Sequence, residues 1–133
     1  MKDKIFIDDN FCFACGENNP QGLRLKFFER DGLIQAECVL GKEYQGYKNI
    51  LHGGMVCLLL DEASAWVMRG KGYYATAKIE VRLRKPVFTG VPIKLEAWKE
   101  KGSSGYVLCR ANLLQEGSLK AQAEVLLVKV DEG

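Results

Sequence analysis

Alternation of apolar and charged side chains dominates the second half of the chain. Over residues 77–84 the apolar side chains take the odd positions and the charged ones the even positions, until Pro86 ends the run. Three more alternating runs follow near residues 93–98, 107–113 and 121–127, with turn-forming residues between them. A period of two is typical of strands with one covered and one solvated face. The pattern predicts four antiparallel strands in a meander.

The first half contains a shorter alternating pattern. Residues 23–27 and 34–40 alternate on either side of Arg30-Asp31-Gly32, which predicts a hairpin. Residues 1–22 are rich in turn formers and predict an ordered, irregular lead that packs through Phe11 and Phe13.

One long apolar segment, residues 49–68, separates the two groups of strands. It predicts a helix that starts through His52-Gly53-Gly54 and ends near Arg69-Gly70. The helix has almost no polar face, so a sheet that curls around it would bury it. We therefore expect a single α+β domain over residues 1–133, an antiparallel curved sheet wrapped around one long central helix.

Asp61 lies within this apolar segment. Removing a carboxylate from water costs several kcal/mol unless partners offset the loss. Two interpretations are open from the residues alone: Asp61 serves chemistry, or it forms a buried ion pair with one of the 19 lysines and arginines.

Composition narrows the classes of partner. A length of 133 residues suits one domain, and a net charge of +2 gives no reason to expect nucleic acid or a membrane surface as a partner. The absence of a long apolar run and the odd number of cysteines, five, predict a soluble cytoplasmic protein.

Cys12 and Cys15 have the spacing of half a zinc site or of a redox pair. No second Cys-x-x-Cys follows, and His52 is the only histidine. We therefore expect no metal and no cofactor, and interpret the two cysteines as packed or turn-stabilising residues.

Several motifs lie around the predicted helix. Residues 46–54 read Gly-Tyr-Lys-Asn-Ile-Leu-His-Gly-Gly, residues 58–63 read Leu-Leu-Leu-Asp-Glu-Ala, and Lys85-Pro86 follows the next strand. With the lead over residues 12–23, they resemble the hotdog-fold thioesterases, in particular the phenylacetic-acid-pathway type acyl-CoA thioesterase family. The resemblance implies a hotdog fold, an acyl-CoA substrate whose coenzyme A is no separate cofactor, and a homodimer or dimer of dimers (a homotetramer).

The resemblance also implies roles for the main site residues. The backbone N–H of Gly53 would bind the thioester carbonyl at the helix start, where an oxyanion is favoured. Asp61 would be nucleophile or general base. Gly54 and Asp61 are separated by about 10 Å of helix rise, so one carbonyl cannot contact both within one chain, and the family places the two groups from different subunits at one site.

Other residues keep alternative interpretations. His52 positions the loop or transfers a proton, and Thr76 either orients the water or carboxylate or is an exposed strand residue. Members of the family often carry Asn or Gln six residues before the histidine, where this chain has Gly46, and the role of nearby Asn49 is open. Further substrate-binding candidates are Asn49, Gly54, Glu62, Arg82, Arg84 and Lys85; Glu62 is alternatively a second base or an interface salt bridge.

The function expected first is hydrolysis of a small or medium acyl-CoA thioester at a site shared by two subunits. The departure at Gly46 favours an alternative, a non-catalytic acyl-CoA-binding protein of the same fold. A hotdog dehydratase or hydratase ranks last, because that chemistry uses a histidine base in a different motif.

Overall fold

The computed structural model describes residues 5–130. The first four residues of the predicted lead and the last three residues of the predicted domain lie outside the described residues. One helix and six strands form the described fold: β1 Phe28–Arg30, β2 Leu33–Cys38, α1 Gly53–Trp66, β3 Tyr74–Leu83, β4 Ile93–Gly102, β5 Tyr106–Gln115 and β6 Ser118–Lys129.

All six strands form one antiparallel sheet in the order β1-β2-β4-β5-β6-β3. The prediction of four strands in a meander is correct for β4, β5 and β6 and wrong for β3. Strand β3 pairs with β6 at the far edge of the sheet, while β4 pairs with β2. Alternation fixes which face a residue takes but carries no information about which strand lies alongside.

The hairpin between β1 and β2 has the predicted turn. Asp31 and Gly32 have φ angles of 52° and 80°, as a two-residue turn with left-handed backbone requires. The first strand lies later than predicted, over Phe28–Arg30 instead of residues 23–27. Arg24 has φ 51°, and the backbone N–H groups of Leu23 and Leu25 donate to the carbonyls of Phe13 and Ala14 at 2.9 Å. Residues 23–27 therefore bond to the lead and not to β2.

The lead, described from residue 5 onward, is ordered but packs differently from the prediction. Ala14 is buried, whereas Phe11 and Phe13 are exposed. Gly16 explains the tight turn: a Cβ at this position would lie 2.3 Å from the backbone nitrogen of Cys12. Ala14 and Gly16 therefore make the close contacts that were predicted for the rings of Phe11 and Phe13.

Helix α1 lies on the concave face of the sheet. It begins where predicted and ends earlier, at Trp66, after which i to i+3 hydrogen bonds from Val67, Met68 and Arg69 tighten the chain toward Gly70. Its fully buried residues are Val56, Leu59, Leu60, Ala63 and Ser64. Of the helices in the described residues, none has the length and hydropathy needed to cross a membrane.

Burial is not uniform around the helix. Leu59, Leu60 and Ala63 are buried against the sheet, whereas Cys57 and Asp61 are only half-buried. The prediction of a helix buried on most sides is therefore correct for the face toward the sheet and incomplete for the face that carries Asp61.

Candidate active site

The start of α1 leaves one backbone donor free. His52 is the N-cap, and its Nδ1 accepts a hydrogen bond from the Gly54 N–H at 2.9 Å. The His52 carbonyl accepts from Met55 and Val56 at 2.9 and 3.2 Å. Within residues 5–130, no hydrogen bond is formed by the N–H of Gly53. A donor without a partner at a helix start is suited to bind a carbonyl or an oxyanion.

Two flanking segments fix this helix start. The backbone N–H of His52 donates to Tyr44 at 3.0 Å, and that of Leu51 donates to Val87 at 2.7 Å. The first bond joins the helix start to the turn Lys42–Tyr44, and the second joins it to the segment after β3. The direction of the Gly53 N–H is therefore set by backbone contacts on both sides of the chain.

A cavity of about 660 Å³ opens beside this donor. Gly53 and His52 lie in its wall, with Arg84 and Lys85 at the end of β3 and Gly46 and Tyr47 opposite. Apolar side chains such as Val56 and Leu83 supply much of the remaining wall. An apolar cavity with a few polar groups at one side is typical of a small-molecule site.

Asp61 lies further along α1, toward the edge strand β3. Its Oδ1 accepts a hydrogen bond from the Thr76 hydroxyl at 2.7 Å. The pairing joins the helix to the free edge of the sheet, since β3 has β6 as its neighbour on one side and no strand of the described chain on the other. The hydroxyl fixes one carboxylate oxygen and leaves the other open for proton transfer or attack.

An irregularity in β3 makes this hydrogen bond possible. Thr76 pairs with Leu127 and Lys78 pairs with Leu126, so Ala77 is an extra residue in the ladder. Without it, Thr76 would share a face with Lys78, because residues i and i+2 point the same way along a strand. The bulge instead puts Thr76 on the face of buried Leu127, toward the helix.

No protein-family model matches this chain. The acyl-coenzyme A thioesterase THEM4 of Rattus norvegicus is 26% identical over 93 residues, which are 68% of this chain and 40% of the rat protein. The chain thus spans less than half the length of this relative.

Solved structures give a more extensive match. A thioesterase superfamily protein superposes with a TM-score of 0.83 at 21% identity, over 90% of this chain and 63% of that one. A Ralstonia eutropha putative thioesterase, described as phenylacetic acid degradation-related, gives 0.73 at 18% identity, over 80% and 85%. The chain has the hotdog fold of the thioesterase superfamily. A third hotdog neighbour, from Streptococcus mutans and solved with acetyl-CoA, gives 0.74 at 14% identity, over 81% and 90%.

The hotdog fold brings some of the predicted site residues together and separates others. Gly53, His52, Arg84 and Lys85 share the cavity wall. Arg82 lies in a groove on the outer face of the sheet, with Arg110 and Glu124 among its neighbours, and Arg84 also lines this groove. Arg82 and Arg84 are two positions apart and point to the same face, and a substrate contact for Arg82 stays a prediction.

Gly54 and Asn49 have structural roles in this hotdog domain. The Gly54 N–H is already bound by His52, so it is not an open donor for substrate. Asn49 has φ 63°; its N–H donates to Gln45 Oε1, and its carbonyl accepts from Thr89, both at 3.0 Å. Asn49 holds the loop before the helix and is not among the residues that line the cavity, and its role as a substrate contact stays a prediction.

Glu62 takes a position that the sequence did not indicate. Its Oε1 accepts from the Trp66 indole at 3.2 Å and lies 4.0 Å from Cys12 Sγ. Burial, with a hydrogen bond and negative charge from Glu62, raises the pKa of the Cys15 thiol from 9.0 to about 12. In the described chain Glu62 faces the lead, on another side of α1 from the cavity, and its role as a substrate contact, second base or interface salt bridge stays a prediction.

One residue that shapes the cavity was missed. Gln115, buried at the end of β5, donates from Nε2 to the carbonyls of Phe88 and Val91 at 2.8 and 3.2 Å and accepts at Oε1 from the Phe88 N–H at 2.9 Å. Pro86 and Val87 lie in the cavity wall, and these bonds hold the segment that follows them. The only sequence signal is an amide at a position where alternation calls for an apolar residue.

Proposed function

We propose that this protein hydrolyses the thioester of small or medium acyl-CoA molecules, at a site shared by two copies of the chain. The observation that carries the proposal is the unpaired Gly53 N–H at the start of α1, opening on the cavity. The naming of the rat relative as an acyl-coenzyme A thioesterase and the acetyl-CoA bound to the Streptococcus mutans neighbour support the choice of substrate class.

In the proposed reaction the thioester carbonyl accepts a hydrogen bond from the Gly53 N–H. Negative charge builds up on this oxygen as the carbonyl carbon is attacked, and the helix start stabilises it. His52 keeps the adjacent Gly54 N–H occupied, so a single donor is directed at the oxygen. We assign His52 to positioning, since its Nδ1 is an acceptor in this bond and faces the backbone.

Asp61 provides the second part of the reaction. It either removes a proton from an attacking water or attacks the carbonyl carbon itself, after which water hydrolyses the anhydride formed. Both routes release coenzyme A as a thiol and need no metal or cofactor. Thr76 orients the carboxylate through its hydroxyl and is the residue we assign to that role.

The proposal requires two subunits because of the helix geometry. The eight residues from Gly53 to Asp61 correspond to about 12 Å of rise, which is too far for one carbonyl carbon and its oxygen to reach both. The half-buried face of α1 that carries Cys57 and Asp61 adjoins the free edge of β3, where Leu83 is 55% exposed. A second copy covering this face would bring its own Gly53 toward Asp61, as a homodimer or within a dimer of dimers.

Arg84 and Lys85 are the proposed contacts for the phosphates of coenzyme A. Both lie in the wall of the cavity that contains Gly53, and both are exposed. Lys85 donates to Ser118, whereas Arg84 also lines the groove on the outer face of the sheet and donates to Gln122 there. The free state of all five cysteines agrees with a reducing compartment, and we propose the cytoplasm as the place of action.

The first test compares Asp61→Asn with Asp31→Asn. Thiol release is measured over short, medium and aromatic acyl-CoA substrates. Asp61→Asn should reduce kcat by about 1,000-fold or more, because removal of a nucleophile or base typically costs at least this much. Asp31→Asn keeps a residue that tolerates the left-handed turn and should retain wild-type rates. Full activity of Asp61→Asn would refute the proposal.

A second test addresses the shared site. Gly53→Pro removes the N–H and adds the proline ring. Proline is accepted at the first helical position, and His52, with φ −56° and ψ 134°, already has the backbone that precedes proline. Gly53→Ala is the matched control that keeps the N–H, since its Cβ would meet only Leu83 Cδ1 at 3.4 Å.

Mixing the two inactive variants distinguishes a shared site from one within a subunit. When Gly53→Pro and Asp61→Asn chains are unfolded and refolded together in equal amounts, random pairing restores about one quarter of the sites if each site uses both subunits. No activity returns if Gly53 and Asp61 act within one chain. That outcome, with mixed dimers demonstrated by mass, would contradict the shared site and leave the hydrolysis itself to the first test.

Non-catalytic binding of acyl-CoA is the second candidate function. Gly46 lies in the cavity wall without a side chain, at the position where the resembling family often has an assisting amide. Saturable binding of acyl-CoA without release of thiol over the whole substrate panel would favour this function over hydrolysis.

A further inference from the structure

Three potential metal ligands meet between the lead and helix α1. The Sγ atoms of Cys12 and Cys15 and a carboxylate oxygen of Glu62 all lie within 4.8 Å of one another. Each of the three residues is partly exposed, so an ion can reach them from solvent. The cluster lies on another side of the helix from the cavity and plays no part in the proposed hydrolysis.

The turn of the lead holds the two cysteines in a fixed arrangement. The Gly16 N–H donates to the Cys12 carbonyl at 2.8 Å, and the Cys15 N–H donates to Cys12 Sγ at 3.5 Å. These two bonds fix the backbone turn that carries both sulfurs. Any side chain at position 16 would collide with the backbone of Cys12, so the turn is built around this glycine.

Glu62 reaches the cysteines from a different element. The Trp66 indole N–H donates to Oε1 at 3.2 Å, and Trp66 is itself stacked on Phe27 with ring centroids 5.4 Å apart. The carboxylate is therefore oriented by a packed residue on its own helix, as metal ligands commonly are by hydrogen-bonding neighbours. The same oxygen lies 4.0 Å from Cys12 Sγ, so it faces the cysteines.

We propose that Cys12, Cys15 and Glu62 bind one zinc ion, with water as the fourth ligand. Two thiolates and a carboxylate match the ligand preferences of zinc, whereas calcium and magnesium prefer oxygen alone. Tetrahedral bonds of the usual lengths put sulfurs about 3.8 Å apart and sulfur and oxygen about 3.6 Å apart. The 4.0 Å between Cys12 Sγ and Glu62 Oε1 needs only a small side-chain rotation to reach this geometry.

The zinc would link the lead to helix α1 through Glu62, the residue next to Asp61. Cys12 and Glu62 are 50 positions apart in the chain, so the ion closes a long loop and stabilises the folded state in the way of a crosslink. The expectation of no metal rested on the lack of a second Cys-x-x-Cys and of any histidine besides His52. The third ligand is instead a carboxylate from the helix.

Metal binding is tested on the full-length protein, stripped with chelator and kept reduced by a phosphine. Titration with Co²⁺ should give one equivalent bound, with a thiolate-to-cobalt charge-transfer band, and Zn²⁺ should displace it. In the wild-type protein, zinc should also protect two of the five thiols from a thiol reagent. This second measurement needs no variant and is unaffected by folding defects.

Variants then identify the ligands. Cys12→Ser, Cys15→Ser and Glu62→Gln should each weaken zinc binding by about 100-fold or more, since even loss of an outer-shell partner costs 10- to 100-fold. Cys38→Ser and Glu37→Gln, at β2 and outside the cluster, are the matched controls and should bind as the wild type does.

Three results would overturn the proposal. The first is a cobalt spectrum without thiolate ligation, and the second is zinc binding that is retained in all three ligand variants. The third is a Cys12–Cys15 disulfide as the only change at the cluster, with no protection of the thiols by zinc, which would identify the pair as redox-active.

Discussion

Two sides of helix α1 carry neighbouring carboxylates in different surroundings. On the side facing β3, Asp61 has a single hydroxyl partner, Thr76, on an edge strand with no further neighbour in the described chain. On the side facing the lead, Glu62 is bound by the Trp66 indole and lies against the cysteine turn. Successive residues are about 100° apart around a helix, and this rotation separates an open side from a packed one.

The difference teaches what each side can contribute. An acidic group with one fixed oxygen and an open face suits a reaction, because substrate or water can reach it. An acidic group within a packed contact suits stability or ion binding, because its geometry is set by neighbours. Changes on the β3 side should therefore affect turnover, and changes on the lead side should affect folding.

Beyond Asp61 itself, the largest effect should come from Thr76 on the β3 side. Thr76→Val keeps the size of the side chain and removes the hydrogen bond to Asp61, and a hydrogen bond to a charged group is worth about 1.5–3 kcal/mol. We expect kcat for acyl-CoA hydrolysis to fall roughly 10- to 100-fold, with Thr76→Ser, which keeps the hydroxyl, losing much less. A Thr76→Val enzyme as fast as the wild type would remove Thr76 from the site.

A smaller effect is expected on the lead side from Trp66→Phe. The substitution keeps an aromatic ring against Phe27 and removes the indole donor to Glu62. The free energy of unfolding of the metal-free protein should fall by about 1 kcal/mol, measured by denaturant titration. The loss in kcat should be far smaller than for Thr76→Val; a comparable loss would break the distinction between the two sides.

At neutral pH the smallest effect concerns the core on which both sides rest. Burial raises the pKa values of the Cys38 and Cys109 thiols from 9.0 to about 11. The unfolded chain loses these protons first, so their stabilisation is complete below pH 9 and is lost as the pH rises toward 11. Unfolding free energies across this range should decline, and Cys109→Ala should decline less steeply. An equal decline in both proteins would contradict a contribution from Cys109.

The elements of the site closest to the helix start could be predicted from sequence. Three features are local patterns in the sequence: the His52-Gly53-Gly54 start, the apolar helix and the carboxylate of Asp61 within it. A helix, unlike a strand, can be predicted without knowing which segment lies beside it. The hotdog fold was likewise predicted and confirmed. The position of β3 at the far edge was not predictable, because strand alternation is the same whichever neighbour a strand has.

Contacts between distant segments escaped the sequence for a different reason. Glu62 meets Cys12 across 50 positions, and Gln115 meets Phe88 across 27. No local period records such a meeting, which depends on how the lead and the strand ends fold back. The exposed position expected for Thr76 has a local cause. Regular alternation along the strand would turn its side chain away from the helix.

The extra residue Ala77 in β3 has a consequence for how hotdog proteins are aligned. In a protein whose third strand lacks the extra residue, regular alternation would turn the residue next to the equivalent threonine toward the helix, in place of the threonine. An alignment of the two proteins without a gap would then match a residue that binds the helix carboxylate in one protein with a residue that faces solvent in the other. Within this strand, residues should be matched by the face they occupy, with a gap at the bulge, before any hydroxyl is compared between proteins.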